Sequence, residues 1–261
     1  MSFDPDGARG LRAHEIDQFI ARGFVRIDQA FSAETARAAR EILWHDLPGI
    51  PEDPASWRQP VVRLGYYAQP PFRAAAQSPV LERAFDQLVG PGRWQRLGAL
   101  GTFPVRFPSS DDPGDTGWHI DVSFGIEAPD FLDWRANMFS RGRALLLLFL
   151  FSDVGIDDAP TRIRVGSHVD IARALAPAGE AGLTLRDLVA GGFGGSDGRP
   201  EVPAVGRAGS VYLCHPFLVH SARPHRGSEP RFLAQPPLLP ADPAAHVLRA
   251  DGTTPVERAI G

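Results

Sequence analysis

Apolar positions in the first third of the chain recur at helical spacing. Ile16, Phe19 and Ile20 share one face of a segment over 14–22, which Gly23 ends before a short strand, Phe24 to Ile27. Ser32 can cap a second helix carrying Ala36, Ala39, Ile42 and Leu43 on one side. Ser78 and Pro79 open a third, in which Leu81, Phe85, Leu88 and Val89 line one face and Gly90 is the stop. From about residue 94 the pattern changes to strands between turns, with candidates over 95–107, 117–124, 144–152, 161–166, 209–215, 217–222 and 231–239. The run Ala144 to Phe151 is continuously apolar, which predicts a strand buried on both faces. One helix should interrupt the strands at 168–175, capped by Ser167 with Asp170 three positions on. The glycine-rich stretch 191–198 reads as a flexible connection, and as a lid over whatever site the strands build.

Seven or so strands with helices mostly to one side predict a mainly β fold with flanking α, a jelly-roll-like double sheet buttressed by N-terminal helices. No repeat or linker divides the 261 residues, so a single domain over 1–261 is expected, helical over about 10–92 and jelly-roll over about 93–240.

Composition then removes whole classes of function. The net charge of −4 offers no field for nucleic acid or an anionic membrane. All 27 basic residues are Arg, so neither a Schiff-base lysine nor a phosphate-loop lysine exists. Cys214 is the only cysteine, which leaves no internal disulfide and no thiolate zinc cluster, and a small buried hydrophobe is its best account. The opening MSFDPDGARG has neither the charged nor the apolar region of a leader, and no apolar run is long enough to span a bilayer. A soluble, cytoplasmic protein acting on a small molecule is the expectation.

The chemistry concentrates in Gly117-Trp118-His119-Ile120-Asp121. On a strand, positions i and i+2 point to one face, so His119 and Asp121 can reach one ion together. An imidazole and a carboxylate are two-thirds of the facial triad of non-haem Fe(II) oxygenases. His220 is the best candidate for the third ligand, flanked by His215 and His225 as alternatives. His225 falls in a polar turn and should be exposed, and His168 reads as structural. Arg231, eleven residues after His220, begins the strand adjacent to that of His220 and points into the same barrel mouth if the intervening turn reverses the chain, and its guanidinium fork suits a carboxylate.

These segments resemble the phytanoyl-CoA dioxygenase family of Fe(II)/2-oxoglutarate-dependent oxygenases. The resemblance is carried by WHID, by DDAPTRIRVGSH, by GSVYLCHPFLVHSA followed by PRF, and by the opening EIDQFIARGFV. It implies a double-stranded β-helix of the cupin-like kind and a metal triad of His119, Asp121 and His220. It also implies Arg231 as partner of the distal carboxylate of 2-oxoglutarate. Relatives place a polar residue on the strand before the HxD pair for the other end of the co-substrate, where this chain has Thr102 or Arg106. They also carry a serine two residues after the distal histidine, where this chain has Ala222, with Ser221 one earlier. The segment 130–143 follows the HxD strand, and Trp134, Arg135, Asn137 and Arg141 are its candidate substrate contacts.

The expected activity is hydroxylation of an unactivated C–H bond, using Fe(II), 2-oxoglutarate and dioxygen and releasing succinate and carbon dioxide. A cupin-like isomerase or hydrolase on the same triad, and a non-catalytic binding protein on the same scaffold, are the competing readings. Arg231 is the feature that the first does not need, and the intact triad speaks against the second.

Overall fold

The structure, a computed structural model, describes residues 10–242, 248–249 and 252–261; most of the opening decapeptide therefore lies outside the described residues. Its centre is strand β5 (Leu145–Leu150), the core of the predicted apolar run. β5 pairs antiparallel with β9 (Val211–Cys214), and β9 in turn with β1 (Phe24–Ile27). On its other edge β5 takes two short strands, β11 (Leu233–Ala234) and β12 (Pro237–Leu238). A second antiparallel sheet has the order β10 (His220–Ser221), β6 (Arg162–Arg164), β8 (Glu201–Pro203).

Side-chain alternation along β5 explains why the run is apolar throughout. Leu146, Leu148 and Leu150 join Tyr212, Cys214 and Leu233 and pack on Ile163 of the second sheet and on Ala204 just after β8. Leu145, Leu147 and Phe149 point the other way and pack with Val211, Leu213 and the helices. Those helices are α1 (Ala13–Arg22), α2 (Ala33–Trp44), α3 (Pro70–Ala76) and α4 (Pro79–Val89). The layers are thus helices, large sheet, small sheet, with one core on each side of the large sheet. Among the described residues no helix is long and apolar enough to cross a membrane.

Local rules set most boundaries. Ser32 accepts a hydrogen bond from the Thr35 amide at 3.0 Å and caps α2. Gly23 ends α1 at φ 82°, and a Cβ there would lie 2.5 Å from Nδ1 of His168. The helix α3 is not among the expected ones; Pro70 and Pro71 both sit in its first turn, where no amide is needed.

Several expectations are corrected. The segment 117–124 is no regular strand: only His119 and Phe124 make isolated bridges, to His220 and Arg135. The candidate 95–107 shrinks to β3 (Phe103–Arg106), paired with the unforeseen β2 (Val61–Leu64). The helix α5 (Ser167–Leu175) is preceded by Gly166 at φ 79°, and Ser167 lies inside it. The Ser167 hydroxyl donates to the Arg164 carbonyl and accepts from the Val219 amide, so it ties β6 to the run before His220. The stretch 191–198 coils into short turns against α5, with buried Ser196 accepting from Arg164 Nη1 at 3.1 Å. A Cβ on Gly194, at φ 66°, would lie 2.6 Å from the Asp170 carbonyl. Its glycines answer that tight backbone course, and the stretch does not line the cavity described next.

Candidate active site

A cavity of about 640 Å³ brings together segments from both sheets and the loops between them. His119 and His220 meet there through a two-way backbone bridge, with amide-to-carbonyl distances of 3.0 and 2.9 Å. Their rings stand edge to face, centroids 4.3 Å apart. Each donates Nδ1–H to a carbonyl two residues back, His119 to Gly117 at 3.0 Å and His220 to Leu218 at 2.9 Å. That fixes the tautomer and leaves both Nε2 lone pairs for a ligand. Burial holds both rings below the usual imidazole range, His220 at about 3, with the His119 ring adding to the effect. Both are therefore neutral bases at neutral pH.

Asp121 lines the same cavity, but not by strand alternation. The Val122 amide bonds back to the Ile120 carbonyl at 3.0 Å, so Asp121 is the centre of a three-residue turn. Its Oδ2 lies 2.8 Å from Nε of Arg143, an ion pair without hydrogen-bond alignment. Burial raises the Asp121 pKa, and the Arg143 cation counteracts only part of that. Among the described residues no three of His, Cys, Asp and Glu are gathered as one ligand set. The two imidazoles are together, and the carboxylate leans on Arg143.

The other end of the cavity is basic. Arg106 and Arg231 are each 2% exposed, and their backbones bridge one another. Arg231 donates from Nη1 to the Ala159 carbonyl and from Nη2 to that of Pro104 at 3.1 Å, which aims the guanidinium without using all its donors. Burial, with Arg106 beside it, pulls Arg231 down to about 9, and it stays charged at neutral pH. Arg106 Nη2 meets both oxygens of Asp115 at 2.6 Å, and Arg63 meets Asp115 from the solvent side. The strand after Arg231 pairs with β5 and not with the His220 strand, contrary to expectation, yet both residues reach the cavity.

Thr102 lines the cavity with Arg106 and Arg231. Ser221 does not: it points behind the sheet and accepts from Arg162 Nε at 2.9 Å, while Ala222 faces the cavity. None of the four candidates in 130–143 lines it either. Trp134 donates to the Ala128 carbonyl, Arg135 to those of Ala181 and Gly182, and Asn137 to that of Glu180, while Arg141 lies over Phe124. Trp134, Arg135 and Asn137 thus tie the loop to backbone carbonyls of the neighbouring segments at 128 and 180–182. The neighbours Phe131 and Leu132, with Leu185, form the apolar wall instead, and Phe131 presents its ring to His119 at 6.5 Å.

Of the alternative histidines, His215 sits on the helical side of the large sheet and donates to the Val256 carbonyl at 3.2 Å. His225 is buried and not exposed as expected, its Nδ1 accepting from the Gly227 amide. Neither lines the cavity. Sequence reasoning missed Arg63, Asp115 and Arg143, whose roles come from distant partners. Arg143 alone carried a local sign, a cation directly before the buried strand.

The model of the phytanoyl-CoA dioxygenase family matches residues 19–233. Among curated proteins, none matches by sequence. HygX from Streptomyces hygroscopicus, solved with nickel and 2-oxoglutarate, is similar at 19% identity over 87% of this chain and 86% of its own, TM-score 0.54. EctD from S. alaskensis, with 2-oxoglutarate and 5-hydroxyectoine, is 18% identical over 90% and 77%, TM-score 0.55. SnoK, a non-heme alpha ketoglutarate dependent carbocyclase from nogalamycin biosynthesis, is 18% identical over 89% and 85%, TM-score 0.51.

Proposed function

The chain belongs to the phytanoyl-CoA dioxygenase family, and from that premise we propose that it is an iron(II)- and 2-oxoglutarate-dependent oxygenase of a small molecule. The observation that carries the reading is the facing pair of neutral imidazoles, each with Nδ1 on a carbonyl and Nε2 free, in one cavity with Asp121 and the buried cation Arg231.

The donor set fits a ferrous ion. Two imidazoles and one carboxylate are the protein ligands of a facial triad, so His119, Asp121 and His220 would hold the metal, with Asp121 free to offer Oδ1 while Oδ2 stays on Arg143. Bound there with 2-oxoglutarate and dioxygen, iron(II) supplies the oxidising power to hydroxylate an unactivated C–H bond, with succinate and carbon dioxide released. The protein's own part is to place and to exclude. Arg231 receives the distal carboxylate of the co-substrate with the donors it does not spend on Ala159 and Pro104. Thr102 lies beside it for hydrogen bonding. Phe131, Leu132 and Leu185 cover the imidazole end, keep water from it and receive the apolar part of the substrate. Ser221 is given no part, because its hydroxyl faces Arg162.

The test is anaerobic calorimetry of 2-oxoglutarate binding with and without metal, followed by aerobic incubation with Fe(II), 2-oxoglutarate and a metabolite library. Metal-dependent binding, succinate formation and a product heavier by one oxygen are expected. A product lighter by two hydrogens would mark ring closure or desaturation, and one of unchanged mass an epimerisation, leaving the oxygenase reading but not the hydroxylase. Metal-loaded protein that neither binds nor consumes 2-oxoglutarate overturns the proposal and favours a cupin-like enzyme without this co-substrate.

A further inference from the structure

We infer that Arg63 and Arg106 form a second carboxylate seat in the cavity, separate from Arg231, in which Asp115 stands in for a carboxylate of the molecule to be oxidised. The inference rests on the oxygenase reading, since it assigns Arg231 to the co-substrate.

Three observations carry it. The first is an unfilled fork. Both oxygens of Asp115 crowd onto the single nitrogen Nη2 of Arg106, at 2.6 Å each. Nε and Nη1 of this 2% exposed residue have no partner among the described residues. A guanidinium satisfies a carboxylate best through two parallel N–H donors, and a carboxylate that is not tethered to the chain can take that geometry.

The second is the charge balance. Arg63, Arg106 and Arg231 line the basic end with one carboxylate, Asp115, between them. With Arg231 matched to the co-substrate, Arg63 and Arg106 still outnumber Asp115. A buried guanidinium with no counter-ion is strongly disfavoured, so the protein supplies a carboxylate of its own until another arrives. Exchanging one carboxylate for another leaves the number of buried charges unchanged.

The third is where Asp115 comes from. The loop over 107–118 has no helix or strand, and Asp115 keeps 22% of its side-chain surface exposed. It follows a turn in which Asp112 accepts from the Gly114 amide at 2.9 Å, with Gly114 at φ 74°. Arg106, by contrast, is fixed in β3. The cation sits in a strand, and its present partner sits on an irregular loop at the solvent edge. The seat therefore selects an acid, and an ester or amide of the same skeleton leaves Arg106 unmatched.

The test is chemical rescue in protein loaded with Ni(II) and 2-oxoglutarate, so that Arg231 is filled. Asp115→Ala should lower the unfolding temperature, and acetate should restore it at constant ionic strength, while chloride should not and wild type should not respond. Asp115→Asn, of the same shape without the charge, serves if the alanine variant does not fold. Arg63→Gln should leave 2-oxoglutarate affinity within about twofold and blunt the rescue. In the library, carboxylic acids should stimulate succinate formation and their methyl esters should not. Absence of acetate-specific restoration would make Asp115 a permanent structural partner and end the proposal. Equal restoration by phosphate would overturn the carboxylate class. A tenfold or greater loss of 2-oxoglutarate affinity in Arg63→Gln would give the seat to the co-substrate instead. Should wild type bind no 2-oxoglutarate with metal present, the oxygenase reading fails on its own, and acetate rescue of the metal-free variant still decides the seat.

Discussion

At the scale of single residues, Arg231 separates this reading of the cavity from its competitors. Its two carbonyl contacts hold the guanidinium still while leaving donors for a carboxylate. Truncating one member of a buried charge pair costs on the order of 2–5 kcal/mol, so Arg231→Gln should weaken 2-oxoglutarate by roughly 30-fold or more. Metal affinity should hardly move, because the residue is not a proposed ligand. Arg226 donates to the Ser109 carbonyl and does not line the cavity, so Arg226→Ala should bind the co-substrate as wild type does. Calorimetry on the three proteins reads all of this, and a loss confined to Arg226→Ala would contradict it. The histidines divide in the same way. His220→Ala should lose metal binding with the fold kept, whereas His215→Ala, on the helical side of the sheet, should lose stability with the metal still bound. An equilibrium metal titration beside a melting curve decides between them, and metal loss in His215→Ala would reverse the choice. His119, Asp121 and His220 could be picked out because their types and order carry the signal. Arg63, Asp115 and Arg143 could not, because Arg63 meets Asp115 across 52 positions and neither has a partner that spacing would suggest.

At the scale of elements, the parts written in hydrophobic period were readable and the parts written in loop geometry were not. The helices α1, α2 and α4 follow from their apolar faces and stops, and β5 from its unbroken apolar run. The segment around His119 was misread as a strand, because a bridge at His119 and a tight turn at Asp121 put both side chains in one cavity by another route. The loop 130–143 was misread residue by residue: its polar side chains bond to nearby carbonyls, and its exposed Phe131 and Leu132 face the cavity. Two substitutions separate these layers. Leu148 is fully buried between the sheets, so Leu148→Ala should cost about 2–5 kcal/mol in urea unfolding, from lost burial and the void left behind. Phe131 is 46% exposed, so Phe131→Ala should leave the urea midpoint nearly unchanged and raise the KM for the substrate with little effect on 2-oxoglutarate affinity. A large fall in stability for Phe131→Ala would mean that the turn is part of the core and not a cover.

At the scale of the whole molecule, α1, α5, the large sheet and the C-terminal turn meet at two buried histidines whose rings lie 5.2 Å apart. His168 on α5 donates to the Ile20 carbonyl of α1 at 3.1 Å. His215, after β9, donates to Val256 and accepts from the Phe217 amide at 3.1 Å. Nδ1 of His168 is buried with no hydrogen-bond partner among the described residues, and the pull of the Ala259 backbone toward the protonated ring is outweighed by burial. Asp170 and Arg199 are the charged groups that act on His168, and they oppose one another. Burial brings His168 down to about 4, and burial with the His168 ring beside it puts His215 well below its usual value. The sign follows from linkage: an unfolded histidine titrates near 6.5, so between about 6.5 and 4 the unfolded chain binds protons that the folded one refuses. Stability should be at its full value above pH 6.5 and fall as the pH drops, by roughly 3 kcal/mol from His168 alone by pH 4. Glu257 adds a later loss: burial favours its neutral form, but the Arg93 and Thr254 hydrogen bonds win and hold it at about 2, so its share goes only below pH 4.5. The two windows can be told apart by urea midpoints taken from pH 7.5 to 3. His168→Gln can keep an amide donor near Ile20 and has no titrating ring, so it should reduce the slope between pH 6.5 and 4 to the share of the remaining buried rings and leave the Glu257 limb intact. A wild-type midpoint that stays level from pH 7 to 4.5 would mean that these rings take up protons in the folded state, and the buried, neutral junction would have to be abandoned.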